Sequence, residues 1–204
     1  MKNIVILLIF LPITVWGSSF EVAIPLILKH EGLYINDPAD RGGITKYGIS
    51  LRYLRELLKM RPDLKDELDI NKDGVIDGYD ILHMSKEEAT ELYQKEWWEQ
   101  YGYGRIDYQP LATKVFDLAV NMGNEDAVEL LQTAYNKFHG GYYLVVDGML
   151  GDDTIDCANQ LERAESVKLL RILKQLAVKR YVHLSQVHPS YKKFLIGWVR
   201  RAND

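Results

Sequence analysis

A chain of 204 residues with a formal charge of −4, 47% hydrophobic and 26% charged residues, has the make-up of a globular protein, either one domain or two small lobes sharing a core. Its acidic balance, with no Lys/Arg run longer than two residues, excludes a general basic field for nucleic acid. The single cysteine, Cys157, excludes an internal disulfide and a thiolate zinc cluster, and reads as a buried structural thiol.

At the N-terminus, Lys2 precedes an apolar run from Ile4 to Trp16, interrupted by Pro12 and Thr14, and Gly17-Ser18-Ser19 follows. A short charged region, an apolar stretch and small residues at a cut site form a secretory signal. Residues 1–17 are therefore expected to be a signal peptide or, uncleaved, a weak anchor through residues 4–16. The run is short for a membrane span, which takes about 20 apolar residues. A helix is expected from Ser19 to Gly32, capped by Ser18 or Ser19, with Pro25 in its first turn or at a kink. Residues 33–49 read as a loop or a short irregular hairpin. Ser50 to Met60 reads as an amphipathic helix with Leu51, Leu54, Leu57 and Leu58 on one face, ended by Arg61-Pro62. Ser85 opens a helix with a capping box to Glu88 that runs through Trp98. Helices follow at Leu111–Met122, stopped by Gly123, and at Asp126–Phe138, stopped by Gly140-Gly141. Shorter or longer helical patterns cover Thr154–Gln160, Ser166–Leu184 and Tyr191–Arg200. Only Tyr142–Val146 has the composition of a strand, so the fold class is mainly α.

The densest chemistry lies in His30-Glu31-Gly32-Leu33-Tyr34 and the following Asn36-Asp37-Pro38-Ala39-Asp40-Arg41-Gly42-Gly43-Ile44-Thr45-Lys46-Tyr47-Gly48-Ile49. Glu31 ends an apolar helical run containing Ile24, Leu26, Ile27 and Leu28. Apolar surroundings favour the uncharged form of a carboxyl, and a protonated carboxylic acid is the general acid of glycosidic-bond cleavage. Asp37, Asp40 and Thr45 are short polar residues able to position a water, although both aspartates also sit in turn sequences where they cap their own backbone.

This segment resembles the signature HEGGY-x-N-D-P-x-D-x-GG-x-T-x-x-G-I of the N-acetylmuramidases of glycosyl hydrolase family 108, found in phage endolysins and secretion-associated muramidases. Leu33 stands where the family has the second Gly of EGGY. Trp97-Trp98, Phe116-Asp117-Leu118-Ala119-Val120-Asn121-Met122-Gly123, Val146-Asp147-Gly148-Met149-Leu150-Gly151 and Phe194-Leu195-Ile196-Gly197-Trp198-Val199-Arg200-Arg201 extend the resemblance over roughly residues 20–201. It implies a lysozyme-like helical fold and cleavage of the β-1,4 bond between N-acetylmuramic acid and N-acetylglucosamine, with Glu31 as general acid. Residues 18–108 would form the catalytic region, and residues 109–204 a helical peptidoglycan-binding region. Asp40 and Thr45 join Glu31 as candidate catalytic residues. Eight residues separate Glu31 from Asp40 and four separate Asp40 from Thr45, one fewer at the threonine than the phage-lysozyme pattern Glu-x8-Asp-x5-Thr. Asp37, Tyr47 and Asn121 are candidate substrate-binding residues, Asn121 either holding a sugar N-acetyl group or capping its helix. His30 reads as structural. A lytic transglycosylase needs only the one glutamate and is the nearest alternative. A non-catalytic peptidoglycan-binding protein is the alternative of another class, and the intact Glu31 argues against it.

A second motif stands apart. Asp69-Ile70-Asn71-Lys72-Asp73-Gly74-Val75-Ile76-Asp77-Gly78-Tyr79-Asp80 fits a calcium loop of the EF-hand type. Asp69, Asn71, Asp73, Asp77 and Asp80 fall at ligand positions, the Val75 carbonyl takes the seventh place, and Gly74 the sharp turn. Its closing aspartate resembles dockerin loops, and a structural Ca2+, with Mg2+ as competitor, is the expected cofactor; catalysis needs none. Trp97, Trp98, Tyr101 and Tyr103 read as core aromatics first and as a sugar-stacking wall second, and Phe116 and Trp198 as core. Asp147-Gly148 with Thr154 resembles the core of peptidoglycan-binding units, or else is a turn and cap without ligand contact. The expected partner is the peptidoglycan glycan strand, met by a monomer in the periplasm or outside the cell.

Overall fold

The computed structural model describes residues 17–32, 34–35 and 44–204; Leu33, Asp37, Asp40 and the apolar leader lie outside the described residues. The described chain is mainly helical. Helix α1 (Phe20–Glu31) buries Phe20, Ala23, Ile24 and Ile27 and ends at Gly32, whose φ of 74° places it in the left-handed region. Ser19 occupies the cap position but gives its hydroxyl to Glu21 instead of to the helix backbone. Pro25 sits in the helix interior, beyond the first turn.

Three two-residue strands follow, β1 (Tyr34–Ile35), β2 (Thr45–Lys46) and β3 (Ile49–Ser50), paired antiparallel in that order. Lys46 faces Tyr34 on one side and Ile49 on the other. The β2–β3 link is the two-residue turn Tyr47-Gly48, with φ of 51° and 81°, the double positive φ that a type I′ hairpin requires. Within the loop or short irregular hairpin expected over residues 33–49, the described residues thus form a tight β2–β3 turn.

Helix α2 (Leu51–Met60) is capped by Ser50, which accepts from the Tyr53 N–H, and buries Leu54 and Leu57. Two short helices, α3 (Lys65–Leu68) and α4 (Gly78–His83), flank the acidic loop. Helix α5 (Lys86–Tyr93) shows the full Ser85–Glu88 capping box and continues through a π-helical turn at Gln94–Glu99. Helix α6 (Gln109–Met122) lies at the centre and packs against α1 and against α7 (Asn124–His139). Phe116 on α6 is fully buried and meets Phe20, Tyr93, Trp98 and Tyr103 with ring centroids 5.4–6.3 Å apart. Each such pair contributes roughly 0.5–1.5 kcal/mol beyond the area it buries. Trp98 and Tyr103 are thus core residues, as their composition suggested, while Trp97 packs beside Tyr53 and Tyr93.

Helix α8 (Asp152–Asn159) is short, and α9 (Arg163–Val187) is long. Leu169, Leu173, Ala177, Tyr181 and Ser185 recur every fourth residue of α9 and are all buried, one stripe turned to the core, and α9 packs against α7 and α6. Pro189 opens a 3-10 turn to Phe194, and α10 (Leu195–Asn203) packs back on α9.

Tyr142–Val146, strand-like in composition, forms no strand. The Asn136 side chain takes the place of a sheet partner there. Its amide oxygen accepts the N–H groups of Tyr143 (2.9 Å) and Leu144 (2.8 Å), and its nitrogen donates to the Leu144 carbonyl at 2.7 Å. Backbone groups satisfied by a neighbouring side chain gain nothing from a ladder. Cys157 is half-buried against the core rather than fully enclosed.

Candidate active site

Glu31 is the last residue of α1, so the helix end and Gly32 fix where its side chain leaves the backbone. The carboxyl is 18% exposed and lines a cleft of about 540 Å³ with Asn121, Lys193, Phe194, Trp198 and Arg200. The apolar setting expected of it holds for the helix but not for the carboxyl. Its Oε1 accepts a 2.6 Å bond from Nη1 of Arg201 on α10. Gly48, at the tip of the hairpin, lies against its other side: a Cβ there would stand 2.6 Å from Glu31 Cγ and 2.8 Å from Oε2.

Arg201 is itself held by α6. Its Nε donates to Asp117 Oδ1 and its Nη2 to the Asp117 carbonyl, both at 3.0 Å. Asp117 is fully buried, and Lys114 donates to its Oδ2 at 3.0 Å and to the Arg201 carbonyl at 2.7 Å. His30 bridges Asp117 Oδ1 and Asp204 Oδ2, at 3.0 Å each. The result is a chain of alternating charges joining α1, α6 and α10. Burial by itself would push the Asp117 carboxyl up, but the His30 bond and the charges of Arg201 and Lys114 outweigh it and hold the group below the usual range. The bond to Asp117 raises the His30 imidazole against the effect of burial. Burial lowers the Lys114 ammonium, with Asp117 opposing that shift. Asp204 is held down to about 2 by His30 and Lys29. Burial, and then the charge of Glu31, raises the Tyr93 phenol well above its ordinary value.

Of the set expected from the sequence, Glu31, Thr45, Tyr47 and Asn121 are among the described residues, and Asp37 and Asp40 lie outside them. Tyr47 reaches the site through its backbone, its carbonyl accepting from the Tyr93 hydroxyl at 3.0 Å. Thr45 is half-buried on β2, opposite Ser50. Asn121 lines the cleft, where its Oδ1 accepts from the Tyr181 hydroxyl at 2.6 Å, and it does not cap α6. Trp198, expected in the core, is only partly buried, stacks on Tyr181 at 5.2 Å and faces the same cleft. Arg201, Asp117 and Lys114 carry no expectation from the sequence. The first two stand inside resembling motifs, but their meeting is a tertiary fact.

The acidic loop between α3 and α4 is ordered by its own backbone. Asp69 accepts from the N–H groups of Asp73 (3.1 Å) and Gly74 (2.7 Å). Asp80 accepts from those of Ile70 (2.9 Å) and Asp77 (2.8 Å), and Asp73 from Val75 (2.8 Å) and the Asn71 amide (2.9 Å). Asp77 caps α4 through the Tyr79 N–H. No three His, Cys, Asp or Glu residues converge on a metal position among the described residues. The Asp147–Thr154 motif is a turn built on Gln132, whose amide reaches Asp147 Oδ1, the Met149 carbonyl and Thr154 Oγ1.

The sequence matches the family model described as Glycosyl hydrolase 108 over residues 24–123, and the model described as Predicted Peptidoglycan domain over residues 126–203. The chain joins a glycosyl hydrolase 108 domain to a predicted peptidoglycan domain. The hydrolase is similar in fold to the structure of Brucella abortus SagA, with a TM-score of 0.62 at 19% identity, over 90% of this chain and 93% of that one. No curated protein matches it significantly. The two domains make it a glycoside hydrolase that acts on peptidoglycan. This puts it in an extracytoplasmic or cell-wall context. No helix among the described residues is long and apolar enough to cross a membrane.

Proposed function

We propose that the hydrolase is an N-acetylmuramidase in which Glu31 donates the proton to the leaving glycosidic oxygen. The observation that carries this reading is the position of Glu31: an intact carboxyl on a cleft, one oxygen bonded by Arg201 and the other beside Gly48. A cleft with Asn121 and the aromatic faces of Phe194 and Trp198 on its walls suits a sugar chain bearing N-acetyl groups. Asp40 or Asp37 supplies the second carboxyl, Thr45 helps to order the water, and Tyr47 contributes to substrate binding. Export through the leader brings the enzyme to its glycan as a monomer, and the 69–80 loop takes a structural calcium ion. That last reading rests on the ligand spacing of the loop.

Glu31→Gln keeps the shape but carries no proton to give. General acid catalysis is worth about 10²–10⁴-fold, so clearing of outer-membrane-permeabilised Gram-negative cells should slow at least that far with the melting temperature retained. A folded variant with near-normal clearing would remove Glu31 from the mechanism. Asp40→Asn and Asp37→Asn, assayed beside it, identify the second carboxyl by the larger loss. Mass analysis of the released muropeptides should find reducing ends; 1,6-anhydro ends would make the enzyme a lytic transglycosylase.

A further inference from the structure

Glu31 and Arg201 are 170 residues apart in the chain, one in the segment matched as hydrolase and the other in the segment matched as peptidoglycan domain. The Arg201 side chain is 7% exposed, too enclosed to serve as a surface contact for glycan. Two of its donors are spent on Asp117, which is in turn fixed by Lys114 and His30. A planar guanidinium bound along one edge presents its remaining edge in a set direction. That edge meets Oε1 of Glu31.

We propose that Arg201 is a positioning residue for the acid: it reserves Oε1, leaves Oε2 to carry the proton, and makes the second domain part of the catalytic site. The proposal rests on Glu31 being the general acid. As the proton passes from Oε2 to the glycosidic oxygen, the bond from that oxygen to the anomeric carbon breaks and its electron pair stays on the leaving oxygen. Glu31 becomes a carboxylate in the same step. Its attraction to Arg201 therefore strengthens along the reaction, and only an interaction that strengthens on the way to the transition state raises kcat. The charged and titratable groups around the carboxyl among the described residues are Arg201 from α10, the Tyr93 phenol from α5, the Tyr181 phenol from α9, Lys29, Lys193 and Arg200 on the cleft wall, and, behind Arg201, Asp117 and Lys114 from α6 and His30 from α1. The hairpin side offers the backbone of Gly48.

The test is steady-state kinetics on soluble uncrosslinked peptidoglycan chains, with thermal melts, for wild type, Arg201→Lys, Arg201→Gln and Glu31→Gln. Arg201→Gln should lower kcat about tenfold or more, since removing one fixed donor at a reacting group costs up to about 10²–10³-fold. KM should stay within about twofold, because an enclosed side chain makes no uniform contact with substrate. Arg201→Lys keeps a charge for Asp117 but lacks a second edge for Glu31. It should remain folded and recover only part of kcat. A loss confined to KM, or a folded Arg201→Gln enzyme with wild-type kcat, overturns the proposal. If Arg201→Gln does not fold, wild-type kcat in Arg201→Lys overturns it equally. An active Glu31→Gln enzyme defeats the acid assignment itself. An inactive one beside unaffected Arg201 variants defeats only the role of Arg201.

Discussion

Gly48 is restricted to glycine from two directions. Its φ of 81° lies where side-chain-bearing residues are strained, and a Cβ would meet the Tyr93 hydroxyl at 2.4 Å as well as the Glu31 side chain. A residue forced into that region costs roughly 1–3 kcal/mol. Gly48→Ala should therefore lower the melting temperature and also displace the acid, cutting the rate of wall hydrolysis about tenfold, the cost of roughly 1.4 kcal/mol of lost transition-state stabilisation. A stable Gly48→Ala enzyme with an unchanged rate would show that the hairpin does not hold the carboxyl. The sequence marked this stretch as a turn but not its contact with Glu31. It likewise left Asn121 between holding a sugar N-acetyl group and capping its helix; the residue lies inside α6, does not cap it and lines the cleft.

At the scale of elements, most helix ends follow from local chemistry. Ser50 and the Ser85–Glu88 pair cap as their types and spacing require, and Gly123 and Gly140 stop helices at φ of 98° and 74°. The acidic loop is the element with the clearest open test. Asp69 and Asp80 now bond backbone N–H groups, and an ion would have to compete for the same oxygens. Calcium at 100 times its dissociation constant stabilises a fold that alone binds it by about 2.7 kcal/mol. The melting temperature should rise with calcium in the wild-type protein and not in Asp69→Ala/Asp73→Ala. Calorimetry without heat at millimolar calcium would leave the loop as a backbone-capped turn.

For the whole molecule, the charge chain through His30, Asp117 and Asp204 ties the first helix to the middle and the end of the fold. The folded protein raises the His30 imidazole above its unfolded value of about 6.5. A group bound more tightly to its proton in the fold contributes fully below the unfolded value, and that contribution is lost as pH rises through the folded one. The two carboxylates it touches are both held low, so they stay ionised across this window. The melting-temperature difference between wild type and His30→Gln should be largest near pH 5.5 and shrink by pH 9. A difference constant across that range would mean that His30 is not charged in the fold.

The sequence by itself determined the helical class, the position of Glu31 at the end of the first helix, the loop or short hairpin after it and the order of the helices. These follow from hydrophobic period, caps and turn residues within a few positions of one another. Only the tertiary structure decided what Glu31 touches. The contacts from Arg201 to Glu31 and to Asp117 span 170 and 84 residues, and no local pattern encodes which buried charges will pair. Tertiary context also overrode composition where it conflicted with a nearer partner: Tyr142–Val146 gave up its strand to the Asn136 side chain, and Trp198 left the core for the cleft because α10 turns back along α9 after Pro189.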